Sequence, residues 1–215
     1  MIRVYKHNKA PESLADKKSW QGEDVVSKLK EDQKGKCYLC ERIRITDYDV
    51  EHHKSKHHFP ELTYVWSNLF WSCRYCNLKK SASFDDLVNP INDNVEEIIY
   101  QSLDFPNAKA EFSATGTVSP QITNTITLLN KIFNGSGRIR TIREQQFYDY
   151  VMSKITSFQK MTTTWLENKS EEAEKAIIDE LDIKSEFLGF KYWIIRSNAV
   201  LLSRFEKYMI WHRAL

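Results

Sequence analysis

Gly35-Lys36-Cys37-Tyr38-Leu39-Cys40 and, after 32 intervening residues, Cys73-Arg74-Tyr75-Cys76-Asn77-Leu78-Lys79-Lys80 carry the only four cysteines of the chain. Two thiolates at i and i+3 on a tight turn can grip one ion together. Two such turns complete a tetrahedral structural zinc site with no open position. Two disulfides are the other reading, which a reducing compartment disfavours. A redox role for the first pair lacks the buried parallel strand that usually precedes such a motif. A metal held by Cys37, Cys40, Cys73 and Cys76 would close a long loop and add stability that the small local core could not supply alone.

Between the two pairs lies Tyr48-Asp49-Val50-Glu51-His52-His53-Lys54-Ser55-Lys56-His57-His58-Phe59-Pro60, which holds four of the six histidines. Asn68-Leu69 follows, nine positions before Asn77, and Asn77 is fused to the last cysteine. Glu-His, then Asn-Leu, then Cys-x-x-Cys-Asn-x-x-Lys, with C-x-x-C ahead of all of it, resembles the zinc-bearing HNH nucleases. The resemblance covers roughly residues 37 to 84.

That resemblance implies a ββα-metal core: a first strand containing Asp47 to Glu51, a loop, a short second strand and a helix beginning near Cys76. Neighbouring strand residues point to opposite faces, so Glu51 and His52 would project in opposite directions. His52 would be the general base, since a neutral imidazole can take a proton from water near neutral pH. His53 is the alternative base or ligand. Glu51 and Asn77 would hold a catalytic Mg²⁺ or Mn²⁺. Asn68 would fix the loop between the strands, and Lys79 and Lys80 would meet phosphate. Two departures stand out. Ser55 occupies the place where the family usually has proline, and Asn77 replaces the final histidine. His57 and His58 match no family position.

Residues 53 to 84 hold Lys54, Lys56, Arg74, Lys79 and Lys80 against Glu61 alone, a local charge of 5 minus 1, or +4. A phosphodiester backbone would be drawn there. The whole chain is nearly balanced, 31 basic against 29 acidic residues, so only local patches speak for nucleic acid.

Leu, Ile, Val and Phe make up 55 of 215 residues, enough for a real core, and with only 6 Gly and 5 Pro the sequence favours helices over turn-dense sheet. The expected fold class is α+β and mostly helical. An N-terminal extension, 1–36, would pack on the zinc-stabilised core, 37–87, followed by a mainly helical region, 88–215. In the first, a helix is expected from Gly22 to Lys34. In the last, a hairpin is expected from Ile98 to Tyr100 and Glu111 to Val118, turning around Ala114-Thr115-Gly116-Thr117. Helices follow through Ile122 to Phe133, Phe147 to Phe158, Ser170 to Leu181 with Glu171 supporting Lys175, and 187 to 213. Residues 130 to 165 hold six basic and two acidic side chains. No apolar run is long enough for a membrane span, and the start of the sequence carries no apolar segment of a secretory signal, so a cytoplasmic location is expected.

Looser marks extend the resemblance to the HNH nuclease subunits found with retrons and Septu-type antiphage systems: the Lys6-to-Leu14 opening, Lys56 four residues after His52, Asn89-Pro90-x-x-Asp93, the Gly116-Thr117-Val118 turn and Thr125-Ile126-x-Leu128-Leu129-Asn130. This resemblance implies an antiphage effector nuclease acting on DNA, with an ABC-type ATPase as partner and the helical half as docking surface. A zinc-stabilised nucleic-acid or protein-binding module without turnover, and an HNH ribonuclease acting on tRNA, remain open from the sequence.

Overall fold

In the computed structural model, which describes residues 1–211, the segment between the cysteine pairs folds as an antiparallel hairpin. Its strands are β1 (Tyr48–His52) and β2 (Leu69–Cys73), with Glu51 opposite Phe70 and His52 opposite Leu69. Helix α1 (Glu12–Ala15), α2 (Glu23–Asp32) and α3 (Arg74–Lys80) surround it. The helix α3 starts two residues before Cys76, with Cys73 at its N-cap, because the strand runs directly into it.

Every residue of β2 is buried. One face of the hairpin carries Val50, Leu69 and Trp71 into a cluster with Leu14, Val25 and Leu29 of the N-terminal helices. Trp71 also stacks on Tyr48, 4.0 Å between ring centres. Gln33, just after α2, treats β2 as a neighbouring strand would: its amide donates to Trp71 O at 2.8 Å and its carbonyl accepts from Trp71 N at 2.7 Å. An open sheet edge is thereby closed. Lys6 pins the preceding chain to the same place, donating to Leu69 O at 2.5 Å and lying 3.8 Å over the Trp66 ring.

A second hairpin, β3 (Ile99–Asp104) with β4 (Lys109–Ala114), follows the short α4 (Val95–Ile98). Its turn is Phe105–Ala108, not the segment around Gly116 that the sequence suggested. Asp104 caps that turn by accepting from Asn107 N at 3.2 Å and Asn107 Nδ2 at 2.6 Å, the kind of side-chain bond that fixes turns. Val118 is exposed and outside any strand.

The remaining helices are α5 (Pro120–Asn134), α6 (Ile142–Asn168), α7 (Glu171–Glu180), α8 (Leu188–Arg196) and α9 (Ala199–Phe205). Ser119, Thr141, Ser170 and Asn198 cap the N-termini of α5, α6, α7 and α9 through their side chains, each contributing about 1 kcal/mol. The single helix expected over 187–213 is broken at Ser197–Asn198, where Asn198 bonds the next turn, and residues 212–213 lie outside the described residues. Lys175 pairs with Asp179 at 2.8 Å rather than with Glu171. The fold is thus α+β and about half helical, with two small two-stranded sheets.

The main apolar core runs through all three sequence regions: Val4, Leu39, Phe70, Ile99, Phe133, Phe147 and Phe190 belong to one cluster. Burial of each such side chain contributes roughly 1.5–3 kcal/mol. A second cluster, with Phe158, Trp165, Ile177, Leu188 and Phe205, joins α6 to α9. Among the described residues no helix is long and apolar enough to cross a membrane.

Candidate functional site

The four cysteines meet. Their sulfurs lie within 4.8 Å of one another and all four side chains are buried. Cys40 Sγ and Cys73 Sγ stand 3.9 Å apart, far beyond the roughly 2.05 Å of a disulfide and close to the edge of a tetrahedron built on zinc–sulfur bonds of about 2.3 Å. Cys37 and Cys40 sit on a turn closed by Glu41 N donating to Cys37 O at 2.8 Å. Cys73 and Cys76 lie at the start of α3, where unpaired amides favour a thiolate. Chemistry and geometry of this donor set fit a metal such as zinc, held with no open position. A second group, His7, Glu31 and Asp32, is close enough to ligate. Asp32 there accepts from both the ring and the backbone N–H of His7, at 3.0 Å for the latter, and so ties the N-terminal segment to α2.

The strand β1 separates its neighbours as alternation requires. Glu51 turns toward α3 and the cysteine cluster, where it is buried. One of its carboxylate oxygens lies 2.8 Å from Lys80 Nζ, and the other accepts from Tyr38 OH at 2.5 Å. Loss of water pushes its pKa up to about 7, with the Lys80 ammonium opposing that rise. Lys80 has no exposed surface and also donates to His52 O at 2.9 Å. The expectation that Lys80 meets phosphate is therefore corrected: its ammonium is enclosed between Glu51 and β1. Lys79 is corrected likewise, since it bonds Glu144 and Ser136 across the start of α6. Asn77 lies on the same seam, donating to Asp49 Oδ2 at 3.0 Å. Glu51 and Asn77 are thus each engaged by different partners, Lys80 and Tyr38 for the first and Asp49 for the second.

His52 turns to the other face. Its Nε2 lies 3.0 Å from Thr63 O. A carbonyl can only accept, so Nε2 carries the proton and Nδ1 keeps its lone pair. No hydrogen bond to the described residues occupies Nδ1. Burial, assisted by the Lys56 and Lys80 charges and opposed by the Thr63 carbonyl, holds the pKa of His52 below its ordinary value. Trp20 packs edge-on against the ring at 5.8 Å, and Lys56 Nζ lies 4.1 Å over Trp20. His53 faces the Glu51 side, more deeply buried, with Nε2 3.3 Å from Val88 O and a pKa pushed down to about 4 by desolvation.

Asn68 spans the connection between the strands. Its Oδ1 accepts from Lys54 N at 2.8 Å, and its Nδ2 donates to Lys54 O at 3.0 Å and Leu62 O at 3.2 Å. The connection over residues 53–68, which follows His52 and carries Thr63, is thereby tied at both ends. Lys54 points its ammonium over Phe59, 5.0 Å away.

Three contributors escaped the sequence reading: Trp20 and the Thr63 carbonyl, which shape the His52 side, and Tyr38, which closes the Glu51 side together with Lys80. Asp85 also organises the two unassigned histidines. It accepts from Ser55 N at 2.6 Å and Ser55 Oγ at 2.8 Å, and lies 2.5 Å from His58 Nδ1, while the His57 ring sits 4.9 Å from that of His58. Ser55 thus fixes the loop by hydrogen bonding to Asp85. Compared with known proteins, the chain matches no family model and no curated protein sequence.

Proposed function

We propose that this chain is an endonuclease of the HNH type, hydrolysing phosphodiester bonds in DNA. The observation that supports it most is His52 at the end of β1, in a β1–β2–α3 unit framed by four cysteines, with its tautomer set by Thr63 O. Nδ1 takes a proton from water, the water oxygen bonds phosphorus, and the bond from phosphorus to the 3′ oxygen breaks. That oxygen takes a proton from solvent and leaves as the 3′ hydroxyl, a 5′ phosphate remains, and Nδ1 returns its proton to solvent. The depressed pKa keeps the imidazole neutral and able to accept at neutral pH.

A structural zinc on Cys37, Cys40, Cys73 and Cys76 would hold β2 and α3 together. The resemblance also implies a Mg²⁺ or Mn²⁺ on Glu51 and Asn77. With Glu51 enclosed by Lys80 and Tyr38, and Asn77 turned to Asp49, these side chains as placed do not fit that ion. No step is derived through it. An antiphage role and an ABC-type ATPase partner are part of the same proposal and rest on the sequence resemblance alone. The closed Glu51–Lys80 pair favours one second reading, a zinc-stabilised binding module without turnover.

The test is cleavage of plasmid DNA and of tRNA by the purified protein, with Mg²⁺ or Mn²⁺ and with the partner ATPase added. His52→Ala should lose about 10²–10⁴-fold in rate while keeping circular dichroism and metal content. As pH is lowered the wild-type rate should fall with a midpoint below the ordinary histidine value of 6.5, because burial holds the base beneath that value. Unchanged cleavage in His52→Ala would remove His52 as base. No cleavage of either substrate by the wild type under all these conditions would leave the binding module.

A further inference from the structure

The segment Gly135-Ser136-Gly137-Arg138-Ile139-Arg140-Thr141-Ile142-Arg143 joins α5 to α6 with three arginines and no acid. Its residues 135–138 and Arg140 form one wall of a groove of about 1100 Å³ whose other walls are β4 and α5. Lys109, Lys131, Arg138 and Arg140 line that groove against a single carboxylate, Glu111. Among the described residues none of these four cations pairs with a carboxylate. Two are instead positioned by neutral acceptors. Arg140 donates to Ala108 O at 2.6 Å, with its guanidinium 3.7 Å from the centre of the Tyr148 ring. Lys131 donates to Lys79 O at 2.8 Å, at the end of α3. Their charge is thus ordered but not neutralised.

The loop itself is fixed. Glu144 accepts from Ser136 N at 3.1 Å and from Thr141 N at 2.8 Å, and Lys79 reaches from α3 to both Glu144 and Ser136. The basic wall is therefore bolted to the helix that carries Asn77. In the same segment, next to Arg138, Arg140 and Arg143 in sequence, Ile139 and Ile142 are 86% and 81% exposed. Side chains so apolar gain nothing from water, and the core does not use them.

We infer that this groove is a nucleic-acid track: phosphates lie along Lys109, Lys131, Arg138 and Arg140, and Ile139 and Ile142 press against bases. The inference rests on the nuclease reading for its link to the site and extends it by naming the surface that holds the substrate. Unneutralised cations match a phosphate backbone, and exposed apolar side chains flanked by arginine match the wedges that unstack base steps. Asn130 and Asn134 add neutral hydrogen-bonding groups on the same wall, as contacts to sugar and phosphate use.

Binding is measured by fluorescence anisotropy on a short labelled duplex and on one of its strands, over a salt series, in a His52→Ala background so that no cleavage intervenes. Lys109→Ala, Lys131→Ala and Arg138→Ala are combined; all three side chains line the groove. The triple variant should bind at least about tenfold more weakly at low salt, with the slope of log affinity against log salt smaller by about 2–3 for the duplex. Ile139→Ser with Ile142→Ser should weaken binding without changing that slope. Lys18→Ala, Lys175→Ala and Lys184→Ala, which remove equal charge elsewhere, should leave both unchanged. An unaltered slope in the groove variant, or an equal loss in the control, overturns the track. So does retention of nucleic acid with loss of an acidic protein partner, which would assign the groove to that partner. A wild type that binds through the groove yet cleaves nothing keeps the track and ends the hydrolytic reading. Cleavage and binding both indifferent to the groove variant do the opposite.

Discussion

Both hairpins are antiparallel and both have an open edge closed by a carboxamide: Gln33 bonds the backbone of Trp71 in β2, and Asn134 bonds the backbone of Ala110 in β4 at 2.8 Å in each direction. They differ in what lies between and beneath the strands. The strands β3 and β4 are joined by the four residues Phe105–Ala108, and β4 alternates buried and exposed side chains, an ordinary half-covered ribbon. The strands β1 and β2 are separated by residues 53–68, β2 is buried throughout, and a buried carboxylate and ammonium lie beneath them. A ribbon of the first kind is stabilised by its own pattern. One of the second kind depends on distant groups, namely the four sulfurs, Asn68 and the Glu51–Lys80 pair. In return it holds an imidazole and a carboxamide at fixed positions that a simple ribbon could not.

The sharpest way to break this contrast is to remove a sulfur. Cys73→Ser should abolish tight metal binding and with it a contribution on the order of 10 kcal/mol, comparable to the whole stability of an ordinary domain. Metal analysis and thermal melting by circular dichroism would read this as loss of both the ion and the cooperative transition. An unchanged melt would mean that the hairpin needs no metal.

Next in size is the buried pair. Glu51→Gln strands the Lys80 ammonium without its counter-charge and should cost about 3–5 kcal/mol in urea unfolding, most of it recovered in the double variant Glu51→Gln, Lys80→Met. A single variant within about 1 kcal/mol of wild type would show that solvent reaches this pair. Smallest are changes in the second hairpin. Ala108 has φ of +50°, so Ala108→Gly should add about 0.5–1 kcal/mol. Gly116 has open space around the position of a Cβ, so Gly116→Ala should stay within about 0.5 kcal/mol. A large loss at Gly116 would restore it as a structural turn.

Much of the chain was legible because its signals are local. The cysteine spacing needed only counting, and α5, α6 and α7 show three- and four-residue apolar steps behind Ser119, Thr141 and Ser170. The second turn was misplaced because Gly116 is a stronger sequence marker than Pro106-Asn107. The bond from Asp104 that selects the latter exists only once the strands are in register. The break at Ser197–Asn198 was hidden for a similar reason, since Asn can lie inside a helix as well as cap one.

The sequence by itself determined that four thiols at two i, i+3 spacings could share an ion, and that Glu51 and His52, as strand neighbours, face opposite ways. Only the tertiary structure decided which charges remain free. Lys79 and Lys80 read as surface cations, yet one reaches Glu144 in α6 and the other is enclosed by Glu51, while among the described residues Arg138 and Arg140 pair with no carboxylate. Periodicity and spacing are properties of neighbours along the chain, whereas the fate of a charge depends on which distant group and how much water it meets after folding.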